Sequence, residues 1–324
     1  DETSATERPV INVYSARHYD SDRVLYDAFE ASSGIRVRFR EAGAPQLLET
    51  MKAEGSRSPA DIIIGADVGA IWRFQEAGLT QGVHSDALTE AIPATLRDTN
   101  GHWFGLAKRA RVIVFDPERL TPDQIDTYAD LADPSLRNEV CVRSSSNIYN
   151  LSLLSETILR DGADAAAEWA QGVVSNFART PQGGDTAQIE SIAAGECAAG
   201  IVNHYYWVRL AQSESQQQRD IAAATALSFP NQDSTGAHIN VTAAAVAANA
   251  PNPAGAVAFI EFLATPEGQA LLVAETKEFP VLESVPLPDG LDALPAFLES
   301  NIQLSDLGAQ QSEAQRIFTQ AGWD

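Results

Sequence analysis

Tyrosine occurs seven times in the 324 residues, and four of the seven follow directly on segments that read as β-strands. The strand Val10–Ser15 leads into Arg17-His18-Tyr19, and the strand Val140–Arg143 leads into Ser144-Ser145-Ser146-Asn147-Ile148-Tyr149. The strand Ala198–Val202 leads into Asn203-His204-Tyr205-Tyr206. Each turn opens a helix, so three strand ends from distant parts of the chain are able to present phenols to one cleft. A free phenol has a pKa of about 10 and is neutral at pH 7. A hard, highly charged cation displaces that proton and binds the phenolate. Hard cations take oxygen donors, and imidazole is a compatible addition for iron. A cluster of tyrosines with one His therefore suits ferric iron, and suits zinc, copper(I) or calcium poorly. Several phenolates on Fe(III) offset its charge and invite a nearby guanidinium, for which Arg17, Arg109 and Arg143 lie close to strand ends or turns. The competing reading makes the same phenols aromatic walls that pack at a surface or hydrogen-bond a small organic solute or anion. Tyr14 falls within a strand and reads as core.

The elements that must position these residues follow from the hydrophobic pattern. Short apolar runs alternate with amphipathic stretches, which indicates βα units and an α/β fold with open, mostly parallel sheets. Helices are expected at Ser21–Ser32 (stopped by Gly34), Pro45–Glu54, Val68–Ala77, Leu151–Arg160, Asp164–Ser175, Thr186–Ala194, Ala254–Leu263, Leu291–Ser300 and Ser312–Gln320. Further strands are expected at Ile35–Phe39, Asp61–Gly65, Val112–Phe115 and Ile239–Ala247. In open α/β sheets ligands bind beyond the carboxyl ends of strands, which is where the tyrosines stand.

Composition excludes several functions. Lys and Arg total 22 against 44 Asp and Glu, a net charge of −22. A general nucleic-acid binder needs a basic face, and docking on anionic lipid needs one too. The uncharged run from Ala237 to Ile260 is interrupted by Pro251 and Pro253, so no transmembrane helix is expected. The two cysteines, Cys141 and Cys197, are either one disulfide or two buried thiols, and they form no zinc-type spacing. The short signatures of dinucleotide, P-loop, zinc-protease and nucleophile-elbow enzymes are absent.

At these residues the chain resembles the periplasmic ferric-iron-binding proteins of bacterial ABC importers, the FbpA and FutA type sometimes called bacterial transferrins. The matching stretches are Val13-Tyr14-Ser15-Ala16-Arg17-His18-Tyr19-Asp20, Ser58-Pro59-Ala60-Asp61-Ile62, Lys108-Arg109-Ala110-Arg111-Val112, Cys141 to Tyr149, Gly195-Glu196-Cys197 and Ile201 to Tyr206. They span most of the chain, and the match favours the branch with a His-Tyr pair in the first loop. The resemblance implies a two-lobed periplasmic-binding-protein fold of the class II type, with the ligand cleft between lobes joined by crossover strands. The first lobe is then expected to hold residues 1–105 and 235–285, and the second 106–234 and 286–324. It implies His18, Tyr19, Tyr149, Tyr205 and Tyr206 as iron ligands, Arg109 and less strongly Arg17 as supporting groups, and a water or anion completing the shell. With His18 swung away, four tyrosines remain, and His204, where relatives often carry another polar residue, is implied to flank the site and not to be a ligand. Ser144–Asn147, at a helix start, is either an anion cradle or plain capping and turn residues. An oxidising periplasm would allow a Cys141–Cys197 bridge in the lobe that carries Tyr149 and Tyr205, steadying that half of the site.

The function implied is capture of ferric iron and its delivery to an inner-membrane ABC permease by a periplasmic monomer. The polar start, Asp-Glu-Thr-Ser, reads as a processed or trimmed N-terminus, which is compatible with a mature periplasmic form. A binder of a small organic solute or anion is the alternative. A metal-dependent oxidoreductase or hydrolase is disfavoured, because five protein ligands leave little of an iron shell open and no acid–base pair accompanies the motifs.

Overall fold

The computed structural model describes residues 8–17 and 19–324. The chain divides into two compact units. One holds the residues up to Ala107 with Val241–Glu275 and Pro280–Pro286; the other holds Lys108–Asn240, Thr276–Phe279 and Leu287–Asp324. In chain order the first unit begins with β1 (Val10–Ser15), α1 (Asp22–Ser33), β2 (Arg36–Glu41), α2 (Ala44–Glu54), β3 (Ile62–Gly65), α3 (Val68–Glu76) and α4 (Asp86–Ala91). β4 (Phe104–Phe115) then carries the chain into the second unit. There follow β5 (Val140–Cys141), α5 (Ile148–Asp161), α6 (Ala163–Ser175), α7 (Asp185–Ala193), β6 (Ala199–Asn203), α8 (His204–Ala211), α9 (Gln216–Ala223) and β7 (Ala226–Ser228). β8 (Ile239–Val246) returns to the first unit, to which α10 (Pro253–Leu263) and α11 (Pro266–Ala274) belong. β9 (Phe279–Pro280) marks a further passage between units, and α12 (Gln311–Ala321) belongs to the second.

In the first unit β1 pairs in parallel with β2 (Val10↔Arg36 through Ser15↔Glu41) and with β3 (Val13↔Ile62). Ile62, Ile63 and Ile64 of β3 are all buried, as befits an inner strand covered on both faces. α1 turns Leu25, Tyr26 and Phe29 inward, and Phe29 meets Phe259 of α10 edge-on at 5.0 Å. The helix stops at Gly34, whose φ of +74° is the left-handed conformation that glycine adopts without strain. Tyr14 is core as expected; its buried ring directs the hydroxyl to the Glu54 carboxylate at 2.9 Å.

In the second unit β6 lies between β4, which is antiparallel to it (Arg111↔Asn203), and β5, which is parallel (Cys141↔Gly200). A disulfide joins Cys141, the last residue of β5, to Cys197, two residues before β6 begins. Gly200 is required there, because a Cβ would stand 2.7 Å from the Cys141 carbonyl oxygen. Val140, Leu154, Ile201, Ile317, Phe318 and Trp323 share one core. Trp323 packs on Phe318 and Phe177 with centroids at 4.6 and 5.3 Å, and its indole N–H donates to the Arg143 carbonyl (3.0 Å), fixing the loop that leads to Tyr149.

Two expectations are corrected. The sheets are mixed rather than mostly parallel: β8 is antiparallel to β3, and β4 is antiparallel to β6 and β7. β4 and β8 enter a unit directly from the other one, so no crossover helix sets them parallel. Residues 291–300 form turns and extended chain, not a helix. Pro295 supplies no N–H and its ring clashes with the preceding turn, while Leu291, Leu294 and Phe297 pack around Val208 and Phe279. Among the described residues no single helix is long and apolar enough to cross a membrane.

Candidate metal centre

Tyr149 occupies the first turn of α5, and Tyr205 and Tyr206 the first turn of α8. Asn147 caps α5 by accepting the Tyr149 N–H at 3.0 Å, which orients the start of that helix. β6 delivers the other pair: Asn203, its last residue, donates from Nδ2 to the Tyr205 oxygen at 3.3 Å. The Tyr205 and Tyr149 hydroxyl oxygens stand 3.4 Å apart, and the Tyr205 and Tyr206 rings lie 4.5 Å apart at 33°. An octahedral cation with oxygen ligands at about 2.0–2.1 Å sets neighbouring donors about 2.9 Å apart, so a small approach of two phenols meets that geometry. Among the described residues no group of three or more His, Cys, Asp or Glu side chains is gathered to hold a metal. Phenol oxygens are the donors this unit concentrates.

The field around them is positive. Arg109, Arg111 and Arg143 bring guanidinium carbons to 5.7, 5.7 and 5.6 Å from the Tyr149 ring centre. Arg109 and Arg209 stand 6.0 and 4.6 Å from that of Tyr205. Against these four cations stand two buried carboxylates. Asp185 takes Arg111 at 2.5 Å and Arg143 at 3.1 Å, and Glu278 takes Arg109 at 3.2 Å. Among these groups two positive charges are in excess while the phenols are neutral, and both tyrosine-bearing turns lie at positive helix ends. Each feature favours negative charge held at these two turns. Arg111 is itself fixed by Asn150 Oδ1 (2.7 Å) and Asn203 Oδ1 (3.2 Å), residues next to Tyr149 and near Tyr205 in sequence. Burial disfavours the charge on Arg143, but Asp185 outweighs it and holds the pKa above its ordinary value.

His204 is no ligand in this arrangement. Its ring is fully buried; Nδ1 accepts the Ala110 N–H at 3.2 Å and Nε2 donates to the Lys277 carbonyl at 2.9 Å. Burial pushes its pKa down to about 3, so it is neutral at pH 7. Tyr19 and Arg17 belong to the first unit, between β1 and α1. The Arg17 guanidinium, buried and bidentate on Asp22 (2.9 and 3.1 Å), lies 5.1 Å from the Tyr19 ring centre. His18 lies outside the described residues. Ser144 and Ser146 bond to each other, and Asn147 serves as the cap.

Thus Tyr149, Tyr205, Tyr206 and Arg109 come together in one unit, with the disulfide joining the end of β5 to the approach to β6. The sequence reading missed Arg209, Asp185, Asn203 and Glu278, and did not single out Arg111. The signal for Arg111 was there: an ionisable residue directly abutting the apolar run Val112–Phe115 needs a buried partner. Asp185 carries no comparable mark.

Residues 57–296 match the family described as bacterial extracellular solute-binding proteins. The chain is 44% identical over 317 residues to the iron uptake protein A1 of Synechocystis, covering 98% of this chain and 88% of that protein. It is 27% identical to the major ferric iron-binding protein of Neisseria meningitidis, with 96% and 92% covered. A solved structure of Trichodesmium FutA in complex with iron and citrate superimposes with a TM-score of 0.95 at 40% identity, covering 97% of this chain and all of that one. Its relatives are solute-binding transport proteins and not enzymes. The chain therefore belongs to the bacterial extracellular solute-binding proteins, has their periplasmic-binding-protein fold, and falls among relatives that include the iron uptake and ferric iron-binding proteins.

Proposed function

We propose that this protein captures ferric iron in the periplasm and hands it to the permease of an ABC importer. The observation that carries the reading is the gathering of Tyr149, Tyr205 and Tyr206 at two helix starts, with four guanidiniums around them. Their phenolates bind the cation, with His18 and Tyr19 as further ligands and a water or small anion completing the shell. The guanidiniums offset the anionic charge of ligands that have given up their protons to the metal. Arg109 and Arg17 act by holding tyrosine rings in place, through contacts at 5.7 and 5.1 Å. The names of the relatives, iron uptake protein and ferric iron-binding protein, support the same cargo.

The test is metal content. Metal-free protein mixed with chelated ferric iron and passed through a desalting column should retain iron in a fixed ratio to chain, and should retain none after Tyr205→Phe with Tyr206→Phe. Wild-type protein that retains no iron contradicts the proposal.

A further inference from the structure

The stretch Thr276–Phe279 belongs to the second unit, yet the chain on both sides of it belongs to the first. It is therefore a connecting segment, and each of its residues is held by a side chain on or beside the helix that carries the tyrosine pair. Arg209 of α8 donates to the Thr276 carbonyl at 2.8 and 3.1 Å. His204, first residue of α8, donates to the Lys277 carbonyl at 2.9 Å. Arg109 pairs with Glu278 at 3.2 Å, and the Phe279 ring stacks on the His204 imidazole at 4.3 Å and 27°. Lys277 has a φ of +60°, a conformation that non-glycine residues rarely hold without support from their surroundings.

His204 has a particular place in this set. Its Nδ1 accepts from Ala110, two residues beyond the point where β4 enters the second unit, and that bond places its proton on Nε2, facing Lys277. One neutral ring thus joins two connecting segments, and its edge meets the ring of Tyr205 at 5.6 Å and 84°. A space-filling residue would need neither nitrogen; here both are used and fully buried. We infer that His204 is a positioning residue that ties the Tyr205–Tyr206 turn to the connecting segment Thr276–Phe279, so that the conformation of that segment governs how firmly the pair holds its ligand. The inference rests on the reading of Tyr205 and Tyr206 as iron ligands. It assigns a displacement at Lys277 a direct effect on the first turn of α8, transmitted through one hydrogen bond and one ring contact.

Two neutral substitutions separate the two halves of the ring. His204→Asn keeps an acceptor where Nδ1 stands and loses the reach to Lys277; His204→Gln keeps a donor at the distance of Nε2. Iron release to EDTA, followed by loss of absorbance, should be about five- to tenfold faster in His204→Asn, the effect of one lost buried hydrogen bond, and within about twofold of wild type in His204→Gln. Hydrogen–deuterium exchange of the metal-free proteins should show faster exchange in 276–279 and in the first turn of α8 together for His204→Asn, with His204→Gln restoring protection. Equal behaviour of the two variants, or wild-type release and exchange in His204→Asn, overturns the inference. A wild type that takes up no iron refutes the metal reading instead, and the exchange measurement still decides this one.

Discussion

Cys141 and Cys197 are fully buried and close a loop with a sequence separation of 56 that contains Tyr149, α5, α6 and α7. Replacing both by Ala removes that closure from the unfolded chain. The chain-entropy relation for a loop of this size gives about 4 kcal/mol at 25 °C. Loss of two packed sulfur atoms adds a smaller penalty of the same sign. For a unit of this size about 4 kcal/mol corresponds to a fall in Tm of about 10 °C. Calorimetry of oxidised wild type against Cys141→Ala with Cys197→Ala should show that fall in the transition of the second unit, with the first unit unmoved. Ferric affinity should weaken as well, because β5 and β6 lead to Tyr149 and Tyr205. A Tm change under about 2 °C, or two free thiols titrated in denatured, unreduced wild type, would refute the reasoning.

Tyr205→Phe with Tyr206→Phe should abolish tight iron binding while urea unfolding changes by under about 1.5 kcal/mol, since only hydroxyl contacts are lost. Arg111→Met leaves Asp185 with one cationic partner, Arg143, in a buried site, and should cost about 3–5 kcal/mol in urea unfolding. Glu156 gives a pH prediction. Burial raises its pKa, but His238, Ser300 and Arg160 outweigh that and bring it to about 2 from an ordinary 4.5. A folded-state value below the unfolded one means stability that is fully present above about pH 4.5 and lost as pH falls toward 2, about 3 kcal/mol in all. Glu156→Gln should flatten stability over that window in urea titrations at stepped pH. Bound iron should leave as pH falls, because each phenolate ligand must regain a proton; iron retained unchanged in acid would count against phenolate ligation.

Much of the architecture is local and was legible in the sequence. α1 shows its apolar face and Gly34 stop, and β3 shows an unbroken Ile run. The tyrosines stood out because each follows a strand. Strand order and direction were not legible, because β8 and β4 reach their partners from another unit and local pattern says nothing of that. β4 was read only over its last residues. Lys108, Arg109 and Arg111 interrupt its apolar run, and their partners Glu299, Glu278 and Asp185 lie 191, 169 and 74 residues away. The helix expected over 291–300 came from its leucines; Pro295 and packing against Phe279 overrode that periodicity. α11 went unread, although Thr265 caps it and Pro266 opens it, because the side chain of Gln269 is buried within it.

The most direct measurement is the visible spectrum of metal-free protein titrated with chelated ferric iron. Phenolate ligation predicts a charge-transfer absorption that grows to a sharp stoichiometric end point and disappears in Tyr205→Phe with Tyr206→Phe. A colourless titration, or a colour that survives removal of both hydroxyls unchanged, would contradict the claim that these tyrosines hold the metal.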